Sequence, residues 1–261
     1  MAYPFGAPTE TSGQGWFFSH RQLKQLISSL LPQPKSFISS MQRRTPPRKL
    51  QFEPLEPRLL LSADLAFAAD PGGSDLTLRL DEIDGIDTVV IVDNEIVDPL
   101  AQVVASQALA DTSAVRITGG VGDDRLTVDQ TNPFIVPVRF DDLSADDNDT
   151  LALTGALNQV WNITGTDEGQ AGDVGFSGVE NLLGAADNED TFVLTENGSL
   201  SGLMHGGDAG FDTMVLNGGA YDSVEYVATG PNSGLIDRDG QLIAYDGLEP
   251  IDDNMDVNNR I

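Results

Sequence analysis

From Leu76 onward, apolar and polar residues alternate in short runs divided by clusters of Asp and Gly. That period fits half-buried β-strands rather than amphipathic helices. The run TLRLDEIDGIDTVVIVDNEIV alone holds two or three such strands. One phrase recurs: a polar cluster, an Asp, a Thr or Arg, then alternating apolar positions. It appears as Asp87-Thr88-Val89, Asp124-Arg125-Leu126, Asp149-Thr150-Leu151, Asp190-Thr191-Phe192 and Asp212-Thr213-Met214. The intervals are 37, 25, 41 and 22 residues. If each long interval hides one degenerate turn, the spacing averages about 21 residues per coil, within the range of repeat architectures. The pattern predicts an all-β body over 71–252, an irregular right-handed parallel β-solenoid.

Three stretches break the alternation. Residues 19–31, SHRQLKQLISSLL, place Leu23, Leu26, Ile27, Leu30 and Leu31 at the spacing of one helical face, and Pro32 ends the run. Around this short helix, residues 1–18 are polar and 32–54 are rich in Pro and basic residues, so 1–54 reads as a disordered basic head without a core. Residues 99–114, PLAQVVASQALADTSA, are rich in Ala, Gln and Leu and read as a short helix or a cap over the first coil. Residues 253–261 read as a polar tail.

The turns between strands carry the candidate chemistry. Gly119 to Thr127 reads GGVGDDRLT and fits the nonapeptide G-G-x-G-x-D-x-U-x. Gly119, Gly120 and Gly122 allow a tight turn, while Asp123 and Asp124 supply carboxylates that suit a hard cation such as Ca²⁺. The turn Gly206 to Asp212, GGDAGFD, offers Asp208 and Asp212; SADDND offers Asp146, Asp147 and Asp149; AADNED offers Asp187, Glu189 and Asp190. The metal candidates are thus Gly119, Gly120, Gly122, Asp123, Asp124, Asp147, Asp149, Asp187, Asp190, Asp208 and Asp212. The alternative is that each Asp bonds the backbone of its own turn. The Gly119 turn resembles the calcium-binding repeat of the RTX proteins, which implies a β-roll-like stack with calcium between successive turns.

Two further resemblances point to export. LEPRLLLSA, Leu55 to Ala63, is similar to the LEPR-XLL motif through Glu56, Pro57, Arg58, Leu60 and Leu61. That motif lies near the N-terminus of very large bacterial proteins thought to be exported. The apolar stretch Leu59 to Ala69 ends in Ala66-Phe67-Ala68, a small-x-small pattern like a cleavage site. Phe176 to Gly218 resembles a module of giant LEPR-XLL and RTX-like surface proteins. Its first phrase is matched by Glu180, Asn181, Leu182, Gly184, Asp190 and Phe192, and its second by Ser199 to Gly202, Gly206, Gly207, Gly210, Asp212 and Thr213. These resemblances imply a secreted or cell-surface protein with a structural or adhesive role, calcium as a partner, and extracellular polysaccharide or protein as the surface it meets.

Charge narrows the partners. The chain carries 41 Asp+Glu against 14 Lys+Arg, a net charge of −27. Eight of those 14 basic residues precede Leu59, and no lysine follows Lys49. So acidic a body argues against nucleic acid as a partner. No cysteine is present, which removes disulfides and thiolate sites, and no apolar run reaches the length of a transmembrane helix. Histidine occurs only at His20 and His205, and no G-x-S-x-G, H-E-x-x-H or P-loop appears. The reading is a non-enzymatic module. The alternative is a parallel β-helix polysaccharide lyase or epimerase, weakened by the absence of lysine from any substrate groove.

Overall fold

The computed structural model describes residues 62–144 and 146–261. The basic head over 1–54, its helix at 19–31 and the LEPR stretch up to Leu61 lie outside the described residues.

The chain begins with β1 (Ala63–Ala68), β2 (Asp75–Ile83), β3 (Ile86–Asp93) and β4 (Val103–Ala108), then a 3-10 turn at Leu109–Asp111. β5 (Thr112–Thr118), β6 (Arg125–Asp129), β7 (Val138–Asp141), β8 (Thr150–Thr154) and β9 (Val160–Gly165) follow. Next come β10 (Glu168–Ala171), β11 (Val174–Ser177), β12 (Asn181–Leu183), β13 (Thr191–Thr195) and β14 (Leu203–His205). β15 (Thr213–Ala228), β16 (Gly234–Arg238), β17 (Gln241–Asp246) and β18 (Ile251–Arg260) complete the chain. The described residues are all-β, with no α-helix among them.

Pairing sorts the strands into three parallel ladders. The first is β1–β5–β7–β11. The second is β2–β6–β8–β12–β14–β17. The third is β9–β13–β15–β18. Antiparallel pairings link them: β2–β3–β4 extends the second ladder, β9–β10–β11 joins the third to the first, and β15–β16–β17 joins the third to the second. The sheet is therefore mixed. Two of its edge strands, β1 and β4, approach each other, and Gln107 Nε2 on β4 donates to the Ala63 carbonyl at 3.0 Å, so the sheet nearly closes on itself.

Register explains the core. Alternate residues of a strand share one face, so in-register parallel strands stack like upon like. Leu76, Leu126, Leu151, Leu182 and Met204 form one apolar column. Phe67, Ile117, Phe140 and Phe176 form a second, and Trp161, Phe192, Met214 and Ile251 a third. Most of these side chains are fully buried in one continuous core. Each contributes about 1.5–3 kcal/mol on burial.

Two stretches differ from expectation. The helix or cap expected at 99–114 is instead β4, the 3-10 turn and the start of β5. The exposed edge of β3 pairs Thr88–Val92 with Val103–Ala108, and that ladder outweighs a helix propensity worth only tenths of a kcal/mol per residue. The expected polar tail is β18, paired with β15 from Ile251 to Arg260. Its single buried residue, Met255, and the half-buried Val257 sit among exposed Asp and Asn, so the apolar alternation is thin. Ala66-Phe67-Ala68 lies within β1, hydrogen-bonded to β5.

Candidate functional site

The recurring phrase sets an acidic residue immediately before a strand. In the second ladder Arg125, Thr150 and Asn181 stand in register, so Asp124, Asp149 and Glu180 before them also stack. Each carboxylate accepts the backbone N–H of its neighbour one level down. Asp149 Oδ1 accepts from Asp124 N–H at 2.8 Å. Glu180 Oε2 accepts from Asp149 N–H at 2.6 Å. In the third ladder, Asp212 Oδ1 accepts from Asp190 N–H at 2.8 Å and Asp190 Oδ1 accepts from Gln159 N–H at 2.7 Å. The acidic residues thus satisfy amides that the parallel ladder leaves open at each strand entry, which buried backbone requires.

The second-ladder column gains more carboxylates from the loop between β7 and β8. Asp142 is buried, and its Oδ2 accepts from Ser144 N–H at 2.6 Å. Asp124, Asp142 and Asp149 each present one carboxylate oxygen within 4.8 Å of the others. Asp147, Asp149 and Glu180 do the same. Asp124 Oδ1, Asp142 Oδ1, Asp149 Oδ2 and both oxygens of Asp147 are buried with no hydrogen-bond partner. Among the described residues, no Lys, Arg or His forms an ion pair with any of the five. Burial pushes the carboxyls of Asp124, Asp142 and Glu180 up, and pushes Asp149 up to about 7; neighbouring carboxylates add to each rise. Such a cluster needs protons or a cation, because an isolated buried carboxylate is costly.

The glycines of the nonapeptide have a steric role. A Cβ on Gly120 would lie 2.5 Å from the Asp70 carbonyl oxygen, and one on Gly122 2.5 Å from the Gly72 carbonyl carbon. The Gly119 turn therefore sits tightly on the preceding turn, without space for a methyl group at these two positions. A Cβ on Gly119 would collide with Asp142 Oδ1, so Gly119 gives the Asp142 carboxylate its place.

The remaining candidates fall elsewhere. Asp123 is exposed, and its Oδ1 accepts from Asn148 N–H at 3.0 Å. Asp190 and Asp212 are buried in the third-ladder column, raised by burial. Asp190 is saturated: besides Gln159, its carboxylate accepts from Asn188 Nδ2 at 2.7 Å and Ala185 N–H at 3.1 Å. Asp187 and Asp208 are exposed on adjacent turns tied backbone to backbone, Asp187 N–H to the Asp208 carbonyl at 3.0 Å. Asp87 is exposed on β3 opposite Glu82 and joins neither column.

Sequence reading missed Asp142 and Glu180. Glu180-Asn181-Leu182 is the recurring phrase with a longer carboxylate and Asn in place of Thr, so tolerance at two positions finds it. Asp142 trails a strand instead of preceding one, and only the acidic density of FDDLSADDND marks it. His205 accepts from Gly207 N–H through Nδ1 at 3.0 Å and lies 3.8 Å from Asp246 through Nε2. Comparison with protein-family models, curated proteins and solved structures gave no match to this chain.

Proposed function

We propose that this chain is a non-catalytic structural or adhesive module of a bacterial surface protein, a right-handed parallel solenoid with hairpin insertions, stabilised by calcium. The observation that carries the reading is the set of partnerless buried oxygens on Asp124, Asp142, Asp147 and Asp149. Oxygen-only ligands at this density suit a hard cation. Their burial suits a small ion rather than a saccharide, which favours scaffold over lyase. Export and adhesion rest on the LEPR-XLL and RTX-like resemblances. The three parallel ladders support the solenoid, with β3–β4, β10 and β16 as insertions between coils.

A cation bound only by the folded state stabilises it by mass action, about 2.7 kcal/mol at a hundredfold excess over the dissociation constant. The test is the melting temperature of the chain in EDTA, in millimolar calcium, and in sodium chloride at matched ionic strength. Calcium is expected to raise the melting temperature well beyond the sodium control. Equal effects of both salts would reduce the cluster to a screened acidic patch.

A further inference from the structure

We infer that the second-ladder column holds two divalent cations side by side, bridged by Asp149. This rests on the calcium reading above and specifies its stoichiometry and ligands. The carboxylates do not form one group. Asp124, Asp142 and Asp149 converge as one triad, Asp147, Asp149 and Glu180 as another, and Asp149 alone belongs to both. Calcium binds oxygen at about 2.3–2.6 Å, so two ligands on opposite sides of one ion stand up to about 5 Å apart. Within each triad the oxygens lie within 4.8 Å of one another, the span one ion's ligands can cover, so each triad can hold an ion of its own.

Both triads carry partnerless atoms: Oδ1 of Asp124 and of Asp142 in the first, and both oxygens of Asp147 in the second. Asp149, with no exposed surface, has Oδ1 engaged by Asp124 N–H and Oδ2 without a partner. It stands between the two triads because the column stacks Asp124, Asp149 and Glu180 one strand apart. Charge agrees: five carboxylates around one divalent ion leave a net charge of about −3 in a buried site, and two ions leave about −1, far less costly in a low dielectric. Backbone carbonyls and water complete each shell, since calcium takes six to eight oxygens.

The experiment is native mass spectrometry with calorimetric titration of calcium chloride into the EDTA-stripped full chain. The wild type should bind two calcium ions. Asp142→Asn and Glu180→Gln, both close in shape to the native side chain, should each retain one ion, lost from opposite triads. Asp149→Asn should lose both at calcium concentrations that saturate the wild type. Far-ultraviolet circular dichroism establishes that each variant is folded. One bound ion in the wild type, with a raised melting temperature, overturns the paired site and leaves the calcium-stabilised scaffold standing. No bound calcium overturns both. Complete loss in Asp142→Asn and Glu180→Gln alike would also overturn it, because all the carboxylates would then serve one ion.

Discussion

The two acidic columns share a sequence signature and a hydrogen-bonding role but differ in chemistry. In the third ladder, Asp190 accepts from Gln159 N–H, Ala185 N–H and Asn188 Nδ2; the neighbouring turn supplies donors. In the second ladder, the chain after β7 supplies Asp142 and Asp147, which are acceptors, and Asp142 Oδ1 and both Asp147 oxygens stay unpaired. The signature therefore sets the strand-entry cap, and the flanking loop determines whether the capping carboxylates meet donors or further acceptors. Among the described residues, no buried carboxylate oxygen of one column lacks a hydrogen-bond partner, and several of the other do.

The largest effect expected from this contrast lies in the third ladder. Asp190→Ala strips partners from two backbone amides and the Asn188 amide in a buried site. It should cost about 3 kcal/mol by urea denaturation, with the same loss in calcium and in EDTA. A loss that calcium restores would erase the distinction between the columns. Asp149→Asn should behave in the opposite way. In EDTA it should be neutral or stabilising, because it removes a buried charge from a crowd of like charges. In calcium it should forgo the mass-action gain, about 2.7 kcal/mol at a hundredfold excess.

Acidity sharpens the comparison further. Burial raises the carboxyls of both columns above their ordinary range in the folded state, Asp149 to about 7 from 3.8. Such a group binds protons more tightly folded than unfolded. Its stabilisation is complete below the unfolded value and is lost as pH rises through the folded one. In EDTA the melting temperature should fall between about pH 4 and pH 7, with Asp149 the main contributor. Saturating calcium should remove the share of the fall due to the second ladder. An apo protein that becomes more stable from pH 5 to pH 8 would contradict this. The smallest effect belongs to Asp208→Ala. Its side chain is exposed on the turn, so the change should stay within about 0.5 kcal/mol and leave calcium binding unaltered.

Much of this was legible in the sequence, for reasons tied to register. Leu126, Leu151, Phe192 and Met214 each follow an acidic residue by two positions, and each enters an apolar column. The intervals of 25 and 22 residues, Asp124 to Asp149 and Asp190 to Asp212, are single steps within one ladder. The 41-residue interval is not a step at all, since Asp149 and Asp190 belong to different ladders and Glu180 fills the second-ladder position between them. The 37-residue interval fails because Asp87 lies on an antiparallel strand. Hairpin insertions lengthen the chain between ladder positions without disturbing register, so periodicity counted along the chain blurs while the ladders stay ordered. Asp142 carries no part of the recurring phrase, and only the fold brings it to Asp124 and Asp149.

Trp161 gives the molecule a built-in optical probe. Its ring stacks on Phe192 with centroids 5.2 Å apart and planes inclined by 9°, fully buried in the third ladder. The indole therefore reads the third-ladder column. Its emission should shift to the red only when that ladder opens, whereas binding heat and ion count follow the other. Recorded together during a calcium titration of a Trp16→Phe chain, fluorescence and heat would separate local ligation from global unfolding.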